Sequence, residues 1–130
     1  MSNNSLYDSI PSSIGNLLSL VELHLNNNML EGRIPESLAL LHSIRILDLG
    51  YTNIIGPIPL GIYTMLKYLV FLYSATNKLD GKIPSCICNQ TRNLEVLDLL
   101  GNNLHWYLPS QIGNFSSLKV LNIIKNNLEA

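Results

Sequence analysis

Two aspartates, Asp48 and Asp98, each stand between two leucines, in Leu47-Asp48-Leu49 and Leu97-Asp98-Leu99. A pair of carboxylates at a suitable separation can divide the acid and base roles of hydrolysis. His24 sits in a matching Leu23-His24-Leu25 and could form a pH-sensitive pair with Asp48. If these triplets stack as neighbouring strands, His24 and Asp48 lie about 5 Å apart, and the two aspartates roughly 10 Å apart. No element supplies the enclosing pocket such chemistry needs. No Gly-rich phosphate loop, nucleophile elbow or His-Glu metal motif accompanies these residues. An Asp between two Leu is also an ordinary surface choice for a strand. The residues with chemical potential therefore point away from catalysis, and no catalytic residue, cofactor or metal site is assigned. The only two cysteines, Cys86 and Cys88, are too close in sequence for an unstrained mutual disulfide and have no third ligand beside them. They read as free or variably oxidised thiols.

The elements that position these triplets recur every 24 or 25 residues. Segments opening at Leu20, Ile44, Leu69, Leu94 and Leu118 share the frame L-x-x-L-x-L-x-x-N-x-L-x-G-x-I-P, which is a leucine-rich repeat pattern. The boundaries run as a partial repeat 1–19, repeats 20–43, 44–68, 69–93 and 94–117, and a partial repeat 118–130, all one domain. The L-x-L core alternates apolar and polar, the period-two mark of a strand with one buried face. Stacked units place Leu23, Leu47, Leu72, Leu97 and Leu121 in one inward column. Leu25, Leu49, Ser74, Leu99 and Ile123 form the next, where Ser74 weakens the core locally.

Asn28, Asn77, Asn102 and Asn126 hold the Asn position, where a buried amide can both donate and accept to satisfy successive turns. Thr52 replaces it once, and a weaker ladder is predicted there. Gly32, Gly56 and Gly81 suit a bend or a close backbone approach, with Asp8 and Trp106 as substitutes. Pro11, Pro35, Pro59, Pro84 and Pro109 end any ladder. The fold class follows: an α/β-type solenoid, right-handed, with a parallel β-sheet on its concave face, irregular or 3₁₀ convex turns and little regular helix. The 25-residue units carry their extra residue in the convex half. Gln90, at a core position, marks 86–93 as the least regular coil.

Outward strand positions line the concave face. The central column reads His24, Asp48, Tyr73, Asp98 and Asn122; beside it run Glu22, Ile46, Phe71, Val96 and Val120. Asn26 and Tyr51 belong to the two columns that follow. Binding candidates on this face are Glu22, His24, Asn26, Asp48, Tyr51, Phe71, Tyr73, Asp98 and Asn122, with the aromatics as anchors. Asn3, Asn89 and Asn114 each open an N-x-S/T sequon and are glycosylation candidates. Asn89 and Asn114 share one convex position, turned away from the binding face.

Composition agrees with a binding scaffold. Charged residues are 13% and hydrophobic ones 47%, a lean surface over a large core. A net charge of −1 gives no electrostatic case for nucleic acid or an anionic membrane. No apolar run approaches the ~18 residues that span a bilayer, and the N-terminus lacks the features of a signal peptide. The frame starts and stops inside a repeat, with neither polar cap visible. The chain thus reads as an internal piece of a longer protein or a truncated product, with self-association through its open ends expected.

The motifs Leu30-Glu31-Gly32-Arg33-Ile34-Pro35, Leu79-Asp80-Gly81-Lys82-Ile83-Pro84 and Leu94-Glu95-Val96-Leu97-Asp98-Leu99 resemble the ectodomains of plant receptor-like proteins and receptor-like kinases. That resemblance implies recognition of a peptide, protein or co-receptor outside the cell, in defence or development. It places the parent at the plasma-membrane surface or the cell wall. A soluble cell-wall inhibitor of polygalacturonase shares the repeat subclass and is the second reading; a remnant without a partner is the third. Five strands showing about four residues each present a projected face near 300 Å². This falls short of the ~800 Å² per partner of a standard interface, so weak binding by the isolated piece is expected.

Overall fold

The computed structural model describes residues 2–85 and 92–129, except for the side chains of Trp106 and Gln111. Five three-residue strands form the main sheet: β2 (Glu22–His24), β4 (Ile46–Asp48), β6 (Phe71–Tyr73), β8 (Val96–Asp98) and β10 (Val120–Asn122). They lie side by side in that order and every pair is parallel. Leu23, Leu47, Leu72, Leu97 and Leu121 are mutual partners across it. The first four are buried, and the flanking residues of the three central strands are half-buried. Alternation alone therefore sets the face, because a one-residue slip would turn the leucines to solvent.

The Asn ladder forms as the frame requires. Asn102 Nδ2 donates to Ser74 O of the preceding coil at 2.9 Å, and its Oδ1 accepts Leu79 N–H at 3.0 Å. Asn126 repeats the pattern on Leu99 O and Leu104 N, and Asn77 on Leu49 O and Ile54 N. Thr52 instead shares its single proton between Leu49 O of its own turn and Asn77 Oδ1 of the next coil. Ser74 is 2% exposed with its hydroxyl unpartnered, a polar group set in an apolar column.

A second set of parallel pairs runs along the flank of the solenoid, which the repeat frame did not foretell. β1 (Tyr7–Ser9) pairs with β3 (Met29–Glu31), β5 (Ile55–Pro57) with β7 (Lys78–Asp80), and β9 (His105–Tyr107) with β11 (Asn127–Glu129). An Arg33–Ile55 bridge links the first two pairs. Each of these strands is only three residues long, too few to mark a strand by propensity, although Met29-Leu30-Glu31, Lys78-Leu79-Asp80 and Asn127-Leu128-Glu129 do alternate about a central leucine. Here the Gly-position residue of one coil sits beside the Leu-position residue of the next, as in Asp8 with Leu30 and Gly56 with Leu79. Gly81 adopts φ +80, and a Cβ there would come within 3.2 Å of Pro57. Asp8 accepts the same left-handed backbone, at φ 78, while its carboxylate takes the Ser9 N–H at 2.8 Å.

Convex turns are 3₁₀ at Ser12–Asn16, Glu36–Leu40 and Ser110–Asn114, where Pro11, Pro35 and Pro109 stand at the N-cap. Among the described residues the exception is α1 (Leu60–Met65), which buries Ile62, Tyr63 and Met65. Its flanking strands pair Leu47 with Leu72, 25 positions apart, whereas Leu23–Leu47 and Leu97–Leu121 are 24 apart. The added residue widens a 3₁₀ turn into an α turn. Cys86, Cys88, Asn89 and Gln90 lie outside the described residues.

Candidate recognition face

The main sheet brings seven of the nine candidate residues into two rows. His24, Asp48, Tyr73, Asp98 and Asn122 are register partners, as are Glu22, Ile46, Phe71, Val96 and Val120. Each row follows from the inward leucines: with those fixed, the residues either side must face out. Phe71 and Tyr73 share one strand and stack, with ring centroids 6.1 Å apart and planes within 7°. Both are half-buried. Ile46 and Val96 are half-buried on either side of Phe71 and make an apolar strip. That strip was legible from the frame, although only the aromatic was singled out.

Asp48 and Asp98 flank Tyr73 on the neighbouring strands. Asp48 Oδ1 accepts Gly50 N–H at 3.0 Å, and Asp98 Oδ1 accepts Leu100 N–H at 3.1 Å. One oxygen of each carboxylate is thereby pinned to its own turn. Burial raises the Asp48 carboxyl above its usual range; the Gly50 hydrogen bond and the His24 charge oppose this, and the Asp98 charge adds to it. His24 finds its closest partner on its own strand, with Nε2 3.2 Å from Glu22 Oε2. The side chains are 40% and 56% exposed, so the contact contributes little. Asp48 thus feels His24 only through space.

Asn26 follows β2, and its Oδ1 is buried without a partner, as is Asn122 Oδ1 at the other edge. Tyr51 departs from the two rows. It occupies a left-handed turn after β4, at φ 54, in company with Asn27, Thr76 and Lys125, and is 56% exposed. Of the sequon residues, Asn3 and Asn114 are exposed, and Asn114 closes a 3₁₀ turn on the convex side. A hollow of about 580 Å³ on the flank, lined by Asp8, Ser9, Glu31, Gly32, Asn53, Ile55 and Lys78, depends on the second ladder and was not foreseen. Among the described residues, no three His, Cys, Asp or Glu side chains gather where a metal could bind, and no helix is long and apolar enough to cross a membrane.

Leucines facing in, an asparagine ladder within and a polar, aromatic sheet without define a leucine-rich repeat solenoid. The pattern described as Leucine Rich Repeat matches residues 19–41 and 93–115. The ectodomain of the receptor kinase SOBIR1 from Arabidopsis thaliana is 32% identical, with a TM-score of 0.89, over 99% of this chain and 70% of that one. The chain belongs to the leucine-rich repeat family, in the form found in plant receptor ectodomains. Receptor-like protein 32 of Arabidopsis thaliana is 31% identical over 98% of this chain, which spans 12% of that relative's length. The Arabidopsis receptor kinase HAESA, solved with the peptide hormone IDA and the co-receptor SERK1, is 35% identical with a TM-score of 0.93, over 100% of this chain and 21% of that one.

Proposed function

We propose that this chain is a segment of the extracellular recognition surface of a plant cell-surface receptor acting in defence or development. Its concave face binds an extended peptide or a partner protein without catalysing a reaction. The observation that carries this reading is the Phe71–Tyr73 stack with its flanking Ile46 and Val96, half-exposed on a sheet whose fold is already secured by the inward leucines. Rigid aromatic anchors beside polar groups are what a binding face offers and what packing does not require. HAESA, bound to a peptide hormone, has the same architecture and supports it. The exposed Asn3 and Asn114 sequons suit glycans in an extracellular parent.

The test is selection of random twelve-residue peptides, displayed multivalently, on the folded chain. Multivalency offsets the small face. Selected peptides should lose binding to Phe71→Ala and Tyr73→Ala chains and keep it on a convex Leu40→Ala chain. Peptides indifferent to both concave changes would end the proposal.

A further inference from the structure

Three carboxylates, Glu22, Asp48 and Asp98, stand on the outward rows of the concave sheet and its following turns, against Lys125 as the only lysine or arginine there. Glu22 is engaged by His24. Asp48 and Asp98 have no ion-pair partner among the described residues; the other ion pair there, Lys119 with Glu95, lies outside these rows. Between the two aspartates, in register, stands the ring of Tyr73. One oxygen of each carboxylate is held by a backbone N–H, and the other has no hydrogen bond among the described residues. Resting on the reading of this face as a peptide-binding surface, we infer that Asp48, Tyr73 and Asp98 form a slot for a basic side chain of the bound peptide, an arginine above all.

The chemistry of the slot selects its occupant. Two strand spacings set the backbones of Asp48 and Asp98 about 10 Å apart, and a guanidinium lying over the ring between them can donate to the free oxygen of either carboxylate. A planar, weakly hydrated guanidinium stacks on an aromatic face while its N–H groups donate sideways to carboxylates. The pinned oxygens fix the carboxylates before the ligand arrives, which lowers the ordering cost of binding. The two like charges repel, as the influence of Asp98 on Asp48 records, and a cation between them reverses that repulsion. Phe71, two residues along the same strand, stacks beside Tyr73 with ring centroids 6.1 Å apart. With Ile46 and Val96 it offers an apolar seat for a second side chain of the same peptide. The occupant is therefore an extended segment with a basic residue near an apolar one. An acidic peptide is rejected by the same two charges.

The test compares two capped five-residue peptides on the full 130-residue chain. Each has leucine at its second and fourth positions. The centre is arginine in one and citrulline, its uncharged isostere, in the other. Binding is read from the amide resonances of Gly50, Tyr73 and Leu100, with spectral dispersion confirming that every variant is folded. The arginine peptide should bind at least about fivefold more tightly than the citrulline peptide. Asp48→Asn and Asp98→Asn should each remove a large part of that preference at low salt, so that the arginine and citrulline peptides bind the variants more nearly alike. Asparagine preserves the Oδ1 acceptor, so neither change threatens the turn. Equal binding of both peptides on this face would overturn the slot and leave peptide recognition standing. Failure of both to perturb the face would overturn the slot together with the reading it rests on.

Discussion

Replacing Asn77 by alanine should be among the most damaging single changes in the chain, and the structure fixes why. Asn77 is 8% exposed and stands in mid-array, where fraying of the ends does not blur the effect. Its Oδ1 is the acceptor for Ile54 N–H at 3.1 Å. Alanine leaves that buried donor without a partner, at about 1–3 kcal/mol. Its Nδ2 donates to Leu49 O at 2.8 Å. That carbonyl is only half-abandoned, since the Thr52 hydroxyl at 3.2 Å can turn fully toward it. The lost amide bond therefore adds nearer 0.5–1.5 kcal/mol. The expected loss is about 2–4 kcal/mol, a large fraction of the roughly 6–20 kcal/mol that a 130-residue domain commands. Urea unfolding followed by far-ultraviolet circular dichroism, at two protein concentrations, measures it. A loss below about 1 kcal/mol would mean that the amide ladder is incidental to the turns and the reasoning is wrong.

The other expectations concern places where the chain departs from its own pattern. Thr52→Asn should gain about 0.5–1.5 kcal/mol in the same unfolding assay, because an amide can reach the preceding coil as those at 77, 102 and 126 do. Ser74→Ala should be neutral to about 1 kcal/mol stabilising, since it removes a buried hydroxyl that bonds to nothing; a clear loss would reveal a hidden partner. The raised Asp48 carboxyl holds its proton more tightly folded than unfolded, so ionising it weakens the fold as pH rises above the ordinary value of 3.8. Asp48→Asn should then be more stable than the parent at pH 7, by less than about 1 kcal/mol at this half-exposed site. The difference should vanish below pH 3.8. Melting curves across pH 3–8 read both arms.

The parts of the fold visible in the sequence were those with strong periodicity. The inward leucines, the two outward rows and the amide ladder all follow from one frame, and the strand pairs keep its register. The second ladder was hidden because three residues are too few to show a pattern: Lys78-Leu79-Asp80 alternates, its partner Ile55-Gly56-Pro57 does not, and neighbouring coils supply the pairing. Helix α1 was hidden because six residues hold no helical period; only the extra residue between Leu47 and Leu72 betrays it. At the face, the rows were legible but side-chain choices were not. His24 takes Glu22 on its own strand over Asp48 on the next, a matter of rotamers that spacing does not determine. Tyr51 stands, as its column required, with Asn27, Thr76, Gly101 and Lys125 beyond the two rows; that this column runs left-handed was not legible from spacing.

The central claim is that the concave sheet is where a ligand sits. Placing a photoreactive benzoyl-phenylalanine at position 73, and separately at the exposed convex position 40, tests it with one selected peptide. The account predicts a covalent adduct from position 73 that excess unlabelled peptide suppresses, and none from position 40. Adducts from position 40 alone would contradict it.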